Sequence, residues 1–217
     1  MSQLPAETKQ LVVVTSHDWE ATDGTLTRFA LTNSAWQRVG EEVRVVLGRH
    51  GLGWGEGLHG PETSGPRKRE GDGKAPAGLF SLNRSYGHGP GAKLETHLEH
   101  TPVGASWRCV DDVRSKHYGE LLDAARVESD WNSAEKLQRS DPLYEVIVLV
   151  EHNAAHEPGA GSCIFLHTWR SWQDEPKVIR PTVGCTAMAR EPLLDVARWL
   201  SPGAVLAQLP EPEARRD

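Results

Sequence analysis

Thirteen of the 21 glycines in this chain fall between Gly48 and Gly91, and that concentration keeps helices out of the middle of the sequence. Glycine loses the most backbone freedom on folding and weakens any helix it interrupts. A stretch this rich in it reads as loops joined by short strands, Leu79-Phe80-Ser81-Leu82 being one. The segments on either side carry strand patterns of their own. Leu11-Val12-Val13-Val14-Thr15 and residues 26–31 read as two strands, with Asp23-Gly24 as the turn signal of a hairpin. Residues 36–47 add short strand-like segments in which Val43, Val45 and Leu47 alternate with charged or neutral neighbours.

Past the glycine-rich stretch, residues 145–151 and 163–167 are continuous apolar runs of strand length, the pattern of strands buried on both faces. Residues 205–209 predict a last strand. Helices are few. Residues 131–139 have a Ser/Asp start and helix-favouring residues. Residues 192–200 place Leu193, Leu194, Val196, Ala197 and Leu200 at helical spacing. The tail after Pro210 reads as mobile. With no repeat or linker dividing the 217 residues, the expectation is one mostly-β (α+β) domain with two or three helices. Its core covers about residues 8–210, with a mobile tail over 211–217.

Composition excludes several classes. A chain of this length buries enough surface to fold without disulfides or a metal. The net charge of -6 argues against a nucleic-acid partner, and no apolar run approaches the ~20 residues of a membrane-crossing helix. Met1-Ser2-Gln3-Leu4-Pro5 lacks a charged leader followed by an apolar stretch, so it does not read as a signal peptide. Either the protein is cytoplasmic or a leader has been removed.

The chemistry centres on Cys185, in Thr182-Val183-Gly184-Cys185-Thr186-Ala187-Met188. A glycine before a nucleophile lets the backbone bend so that N–H groups can converge on an oxyanion. The segment precedes a helix-forming one, whose positive end would favour a thiolate. The alternative is a buried structural cysteine in a turn. His167 ends the strand Ser162-Cys163-Ile164-Phe165-Leu166, where an imidazole could activate a thiol or could be a satisfied polar residue.

Seventeen residues separate His167 from Cys185, with Thr182 and Gly184 in register. That arrangement resembles the L,D-transpeptidase (YkuD-like) catalytic domain, which carries a histidine, the same spacing and a Gly-Cys pair. A second block, from Lys68-Arg69-Glu70-Gly71-Asp72-Gly73-Lys74-Ala75-Pro76 to Phe80, resembles the family's Gly-Asp-x-Lys-Thr-Pro-x-Gly-x-Phe/Tyr segment. The likeness spans about residues 40–210. It departs at Val183, where many members have histidine, and at Ala187, where Asn or Arg is usual; the second departure leaves donor specificity open.

The resemblance implies a YkuD-like β-sandwich or mixed-sheet fold and a cofactor-free cysteine enzyme of the bacterial envelope or periplasm. Cys185 would attack the L,D amide of a peptidoglycan stem peptide as a thiolate. His167 would be its base, N–H groups around Gly184 and Cys185 the oxyanion donors, and a carbonyl near Thr168 the group orienting the imidazole. An amine acceptor gives transpeptidation; water gives a carboxypeptidase or endopeptidase. Candidate cleft residues are Tyr118, Trp169, Arg170 and Thr182. Asp111, Asp112 and Tyr118 form a polar cluster that is either structural or functional.

Competing readings are a secreted effector against other cells' walls, a non-catalytic peptidoglycan-binding module, and a metal hydrolase using His152 and His156. Asn153 and Pro158 argue against the last, and no metal is expected. If the protein works in an oxidising envelope, Cys109 and Cys163 are the expected pair, because a bridged nucleophile could not act. The alternative is two reduced packing residues. Oligomeric state is open.

Overall fold

The computed structural model describes residues 4–61, 64–169 and 179–214. β1 (Gln10–Ser16) and β2 (Asp23–Thr32) form the expected antiparallel hairpin. Its turn lies before Asp23-Gly24, which already belong to β2. The Asp18 carboxylate accepts the N–H groups of Glu20 and Ala21 at 3.0 and 2.8 Å, the local bonding by which Asp favours turns. β3 (Ala35–Val46) is one continuous strand rather than several short ones, and it pairs with β2 along its length.

The glycine-rich stretch yields β4 (Leu52–Trp54), β5 (Ala75–Leu82) and β6 (Arg84–Gly87), then β7 (Glu99–Pro102). β8 (Trp107–Val110), β9 (Leu121–Asp123) and β10 (Ala134–Lys136) follow, and after them β11 (Val146–Leu149), β12 (Phe165–Thr168), β13 (Thr186–Met188) and β14 (Ala204–Pro210). Among the described residues these make one eleven-stranded mixed sheet, ordered β4-β5-β14-β1-β2-β3-β13-β12-β11-β6-β7, and a three-stranded sheet, β10-β8-β9. The fold is mostly β, of the α+β class.

Helix α1 (Arg190–Trp199) buries Leu193, Leu194, Val196 and Ala197, with Glu191 in its first turn and Arg198 in its last, each at the dipole end that suits its charge. Pro192 is tolerated because a first-turn N–H has no intrahelical partner. A second short helix, α2 (Glu211–Ala214), occupies part of the tail expected to be mobile; residues 215–217 lie outside the described set. No described helix is long and apolar enough to cross a membrane.

The expected helix over residues 131–139 does not form. Ala134, Glu135 and Lys136 pair with Val110, Cys109 and Arg108 instead. The Asp112 carboxylate accepts the Asn132 N–H at 2.8 Å, and Asp130 accepts the Ser115 hydroxyl at 2.5 Å and the Lys116 N–H at 3.1 Å. Helix-favouring composition is a weak preference, and these long-range bonds override it. They also make Asp112 structural: the backbone N–H groups of Asn132 and Arg114 hold its carboxyl at about 2.

Strand parity explains the continuous apolar runs. In β11 and its C-terminal neighbour Val150, Val146, Val148 and Val150 join the main core, while Ile147 and Leu149 join a second cluster with Tyr86, Cys109, Leu137, Tyr144 and Cys185. Around β12, Ile164 and Leu166 face the main core and Cys163 and Phe165 the second cluster. Each run is buried on both faces because each face has its own core.

Candidate active site

β12 and β13 run parallel, with Leu166 beside Thr186 and His167 beside Ala187. Side chains alternate faces along a strand, so Cys185, two residues before Ala187, shares the face of His167. Both are buried, at 4% and 5% exposure, and both line a cavity of about 360 Å³ with Tyr144, Trp169 and Val183. A smaller cavity of about 190 Å³ is also lined by Cys185, together with Arg49, Lys68, Glu70, Asp111 and Gly184. Cys185, Val183 and Glu135 border both spaces.

The turn carrying Cys185 is held from within. The Thr182 hydroxyl donates to the Cys185 carbonyl at 2.6 Å and accepts the Gly184 N–H at 3.1 Å. Thr182 also pairs through its backbone with Leu47 and Arg49, at 2.8 Å each. Gly184 has φ of 156°, and a Cβ there would lie 3.2 Å from the Lys74 carbonyl oxygen. The two separated sequence blocks therefore meet behind the nucleophile, and glycine lets them. Thr182 lines the larger cavity while its hydroxyl shapes the turn; one expectation changes, since the Gly184 N–H, expected to serve an oxyanion, is already bonded. Nor does a helix dipole reach the thiol, because β13 intervenes before α1 begins at Arg190.

The imidazole is oriented through Nδ1, 2.7 Å from the Thr168 carbonyl oxygen. A carbonyl only accepts, so Nδ1 carries the proton in the neutral ring and Nε2 is the basic nitrogen. Tyr144 packs edge-on against the ring, with centroids 5.2 Å apart. The thiol contacts backbone, receiving the Phe165 N–H at 3.4 Å and pointing to the Cys163 carbonyl at 3.5 Å. Burial pushes His167 down to about 4 and pushes the Cys185 thiol up, with Glu135 adding to the rise. Both shifts favour a neutral thiol beside a neutral imidazole over the pre-formed thiolate expected from the sequence.

Cys109 and Cys163 are bridged, with Cα atoms 5.9 Å apart, and Cys185 is the free cysteine. Cys163 has φ of 56°, a left-handed conformation uncommon for a residue with a Cβ.

The other expected cleft residues divide. Trp169 lines the larger cavity. Tyr118 lines neither cavity: it is 3% exposed, its hydroxyl donating to Glu70 at 2.6 Å and accepting the Gly161 N–H at 3.0 Å. Arg170 lies outside the described residues. His152 is bonded at both ring nitrogens, to the Glu56 N–H and the Ala160 carbonyl. Among the described residues no group of three or more His, Cys, Asp or Glu could hold a metal. Sequence reasoning missed Glu135 and Tyr144; the only signal for either lies in long-range pairing. No protein-family model matches the sequence, and no curated protein or solved structure matches the chain.

Proposed function

We propose that this chain is a cysteine-dependent acyl transferase of the L,D-transpeptidase type, acting on peptidoglycan stem peptides. One observation carries the reading: Cys185 and His167 share one face of adjacent parallel strands and line one cavity, with Nδ1 of the imidazole bonded to a carbonyl so that Nε2 is the base.

Because the pair rests neutral, proton transfer accompanies attack. As the sulfur forms its bond to the amide carbonyl carbon, Nε2 takes the thiol proton. The Cys185 N–H is the oxyanion donor, since that of Gly184 is bonded to Thr182. The imidazolium then protonates the leaving amine as the C–N bond breaks, leaving a thioester. An acceptor amine gives its proton to His167, attacks the thioester and releases the sulfur, which recovers the proton. Water in the acceptor's place gives hydrolysis. The disulfide supports an oxidising compartment, such as a bacterial envelope or a secreted location.

Incubation with purified muropeptides, with and without a D-amino acid, followed by mass analysis, tests the proposal. Exchanged or cross-linked products, lost after thiol alkylation and indifferent to chelators, support it. A folded protein that binds muropeptides and leaves them unchanged identifies a binding module instead.

A further inference from the structure

Glu135 stands directly opposite Cys109 in the small sheet. Cys109 is bridged to Cys163, whose carbonyl faces the Cys185 thiol. The small sheet is thereby fastened beside the nucleophile, and Glu135 lies where its carboxyl borders both cavities. Tyr144 donates to its Oε2 at 2.8 Å. Among the described cations nearby, Arg139 forks onto Asp141 at 2.8 and 2.7 Å while still acting on Glu135, Lys68 pairs with Asp72 at 2.7 Å, and Arg49 lines the smaller cavity.

The smaller cavity holds a second acceptor in want of a donor. Asp111 lines it, and its buried Oδ1 has no hydrogen-bond partner among the described residues, a costly condition for a polar atom out of water. Glu70, by contrast, is supplied by the hydroxyls of Tyr118 and Ser162. Two carboxyl groups thus offer acceptor capacity to the space beside the sulfur. A primary ammonium brings a positive charge and three donors in a compact group.

We propose that Glu135, with Asp111 beyond it, is a specificity-determining residue that binds a primary ammonium group of the substrate next to Cys185. Burial raises the Glu135 carboxyl above its ordinary range, with Asp111 and Glu70 adding to the rise and the Tyr144 hydroxyl and Arg139 opposing it; an entering cation opposes it further. The inference deepens the proposed function, on which only the source of the ammonium depends. It belongs either to the donor stem peptide or to the acceptor amine.

A thiol-labelling experiment tests this without assuming any reaction. Cys185 is the free cysteine, so labelling of the oxidised protein reports on it. The rates of a cationic aminoethyl methanethiosulfonate and a neutral propyl analogue are compared, each scaled to its rate with a small free thiol. The cationic reagent should be favoured about tenfold, Glu135→Gln should bring the ratio near one, and Glu135→Asp should keep most of it. An unchanged ratio in Glu135→Gln, even with both rates raised together, overturns the proposal. In the unsubstituted protein, ethylammonium should slow labelling by the neutral reagent severalfold, and absence of protection is equally fatal. If transpeptidation is found, Glu135→Gln should raise KM selectively for whichever partner carries the ammonium, separating donor from acceptor. If it is not found, the labelling ratio still decides the role of Glu135.

Discussion

The two sheets that meet at Cys185 are held by different means. Near the site the large sheet is apolar on both faces, and its strands are fixed by main-chain ladders and two cores. The small sheet has strands of three or four residues. It depends on carboxylates that gather loop N–H groups, on the Tyr144–Glu135 hydrogen bond, and on the Cys109–Cys163 bridge. The large sheet carries the candidate reacting groups, whereas the small one brings Glu135, an acidic side chain that lines both cavities with Cys185. The proposed reactivity and selectivity therefore rest on elements that can be perturbed separately.

The largest expected effect lies in the large sheet. Cys185→Ala should abolish every acyl-transfer or hydrolytic activity while leaving the thermal midpoint within a few degrees of the unsubstituted protein. His167→Gln should lower kcat by about 10²–10⁴-fold, the usual weight of a general base. Substantial turnover by folded Cys185→Ala would remove the large sheet from the chemistry altogether.

Acid should strike next. His167 and His152 are both lowered to about 4, chiefly by burial. The unfolded chain holds more protons on them between their ordinary value of about 6.5 and 4, so stability falls as pH drops through that window and is fully present above it. Each shift is worth on the order of 3 kcal/mol. Asp112 acts in the same direction in a lower window: its contribution is present above its ordinary value of 3.8 and lost as pH falls toward about 2. Denaturant melts at pH 7, 5.5 and 4 check the order, with the histidine loss complete before the small sheet's Asp112 protonates. Flat stability from pH 7 to 4 would show that neither histidine is buried as described.

The bridge is the third lever. Replacing Cys109 and Cys163 by serine opens a closure spanning 54 residues, worth about 4 kcal/mol in the chain-entropy account. The expected result is a lower midpoint together with faster hydrogen exchange in β8 and β10, while β1 and β14 keep their protection relative to global unfolding. Uniform exchange throughout would mean that the small sheet is no separate unit. Thiol counting on denatured, unreduced protein should find one free thiol.

These contrasts also explain what the sequence revealed. β1, β14, α1 and the doubly buried runs were legible because their hydrophobic periods are long enough to read. Cys185 and His167 were legible because a glycine, a threonine and a fixed spacing surround them. The small sheet was not. Residues 131–139 carry helix-favouring side chains, and the bonds that make them a strand and turns come from Cys109, Asp112 and Ser115, far away in the chain. Glu135 acquires meaning only from its register opposite Cys109, and Tyr118, plausible as a cleft residue, is turned inward by Glu70. The push toward a neutral Cys185 and His167 was equally hidden, since desolvation is a property of the packed molecule and not of the spacing.

The smallest expected effect is the most local test of how the sheets join. Tyr144→Phe keeps the ring against His167 and Phe165 and beneath the Arg139 guanidinium but removes the hydroxyl that donates to Glu135 at 2.8 Å. A hydrogen bond to a charged, largely desolvated acceptor is worth about 1.5–3 kcal/mol. In a protein of this size each kcal/mol moves the midpoint by about 2–4 °C. The same change made in a Glu135→Ala background should be neutral or slightly stabilising, because there the hydroxyl has lost its acceptor and only its desolvation remains. Equal costs in both backgrounds would mean that the hydroxyl does not bond the carboxylate in solution. The bridge would then hold the small sheet against the large one without its help.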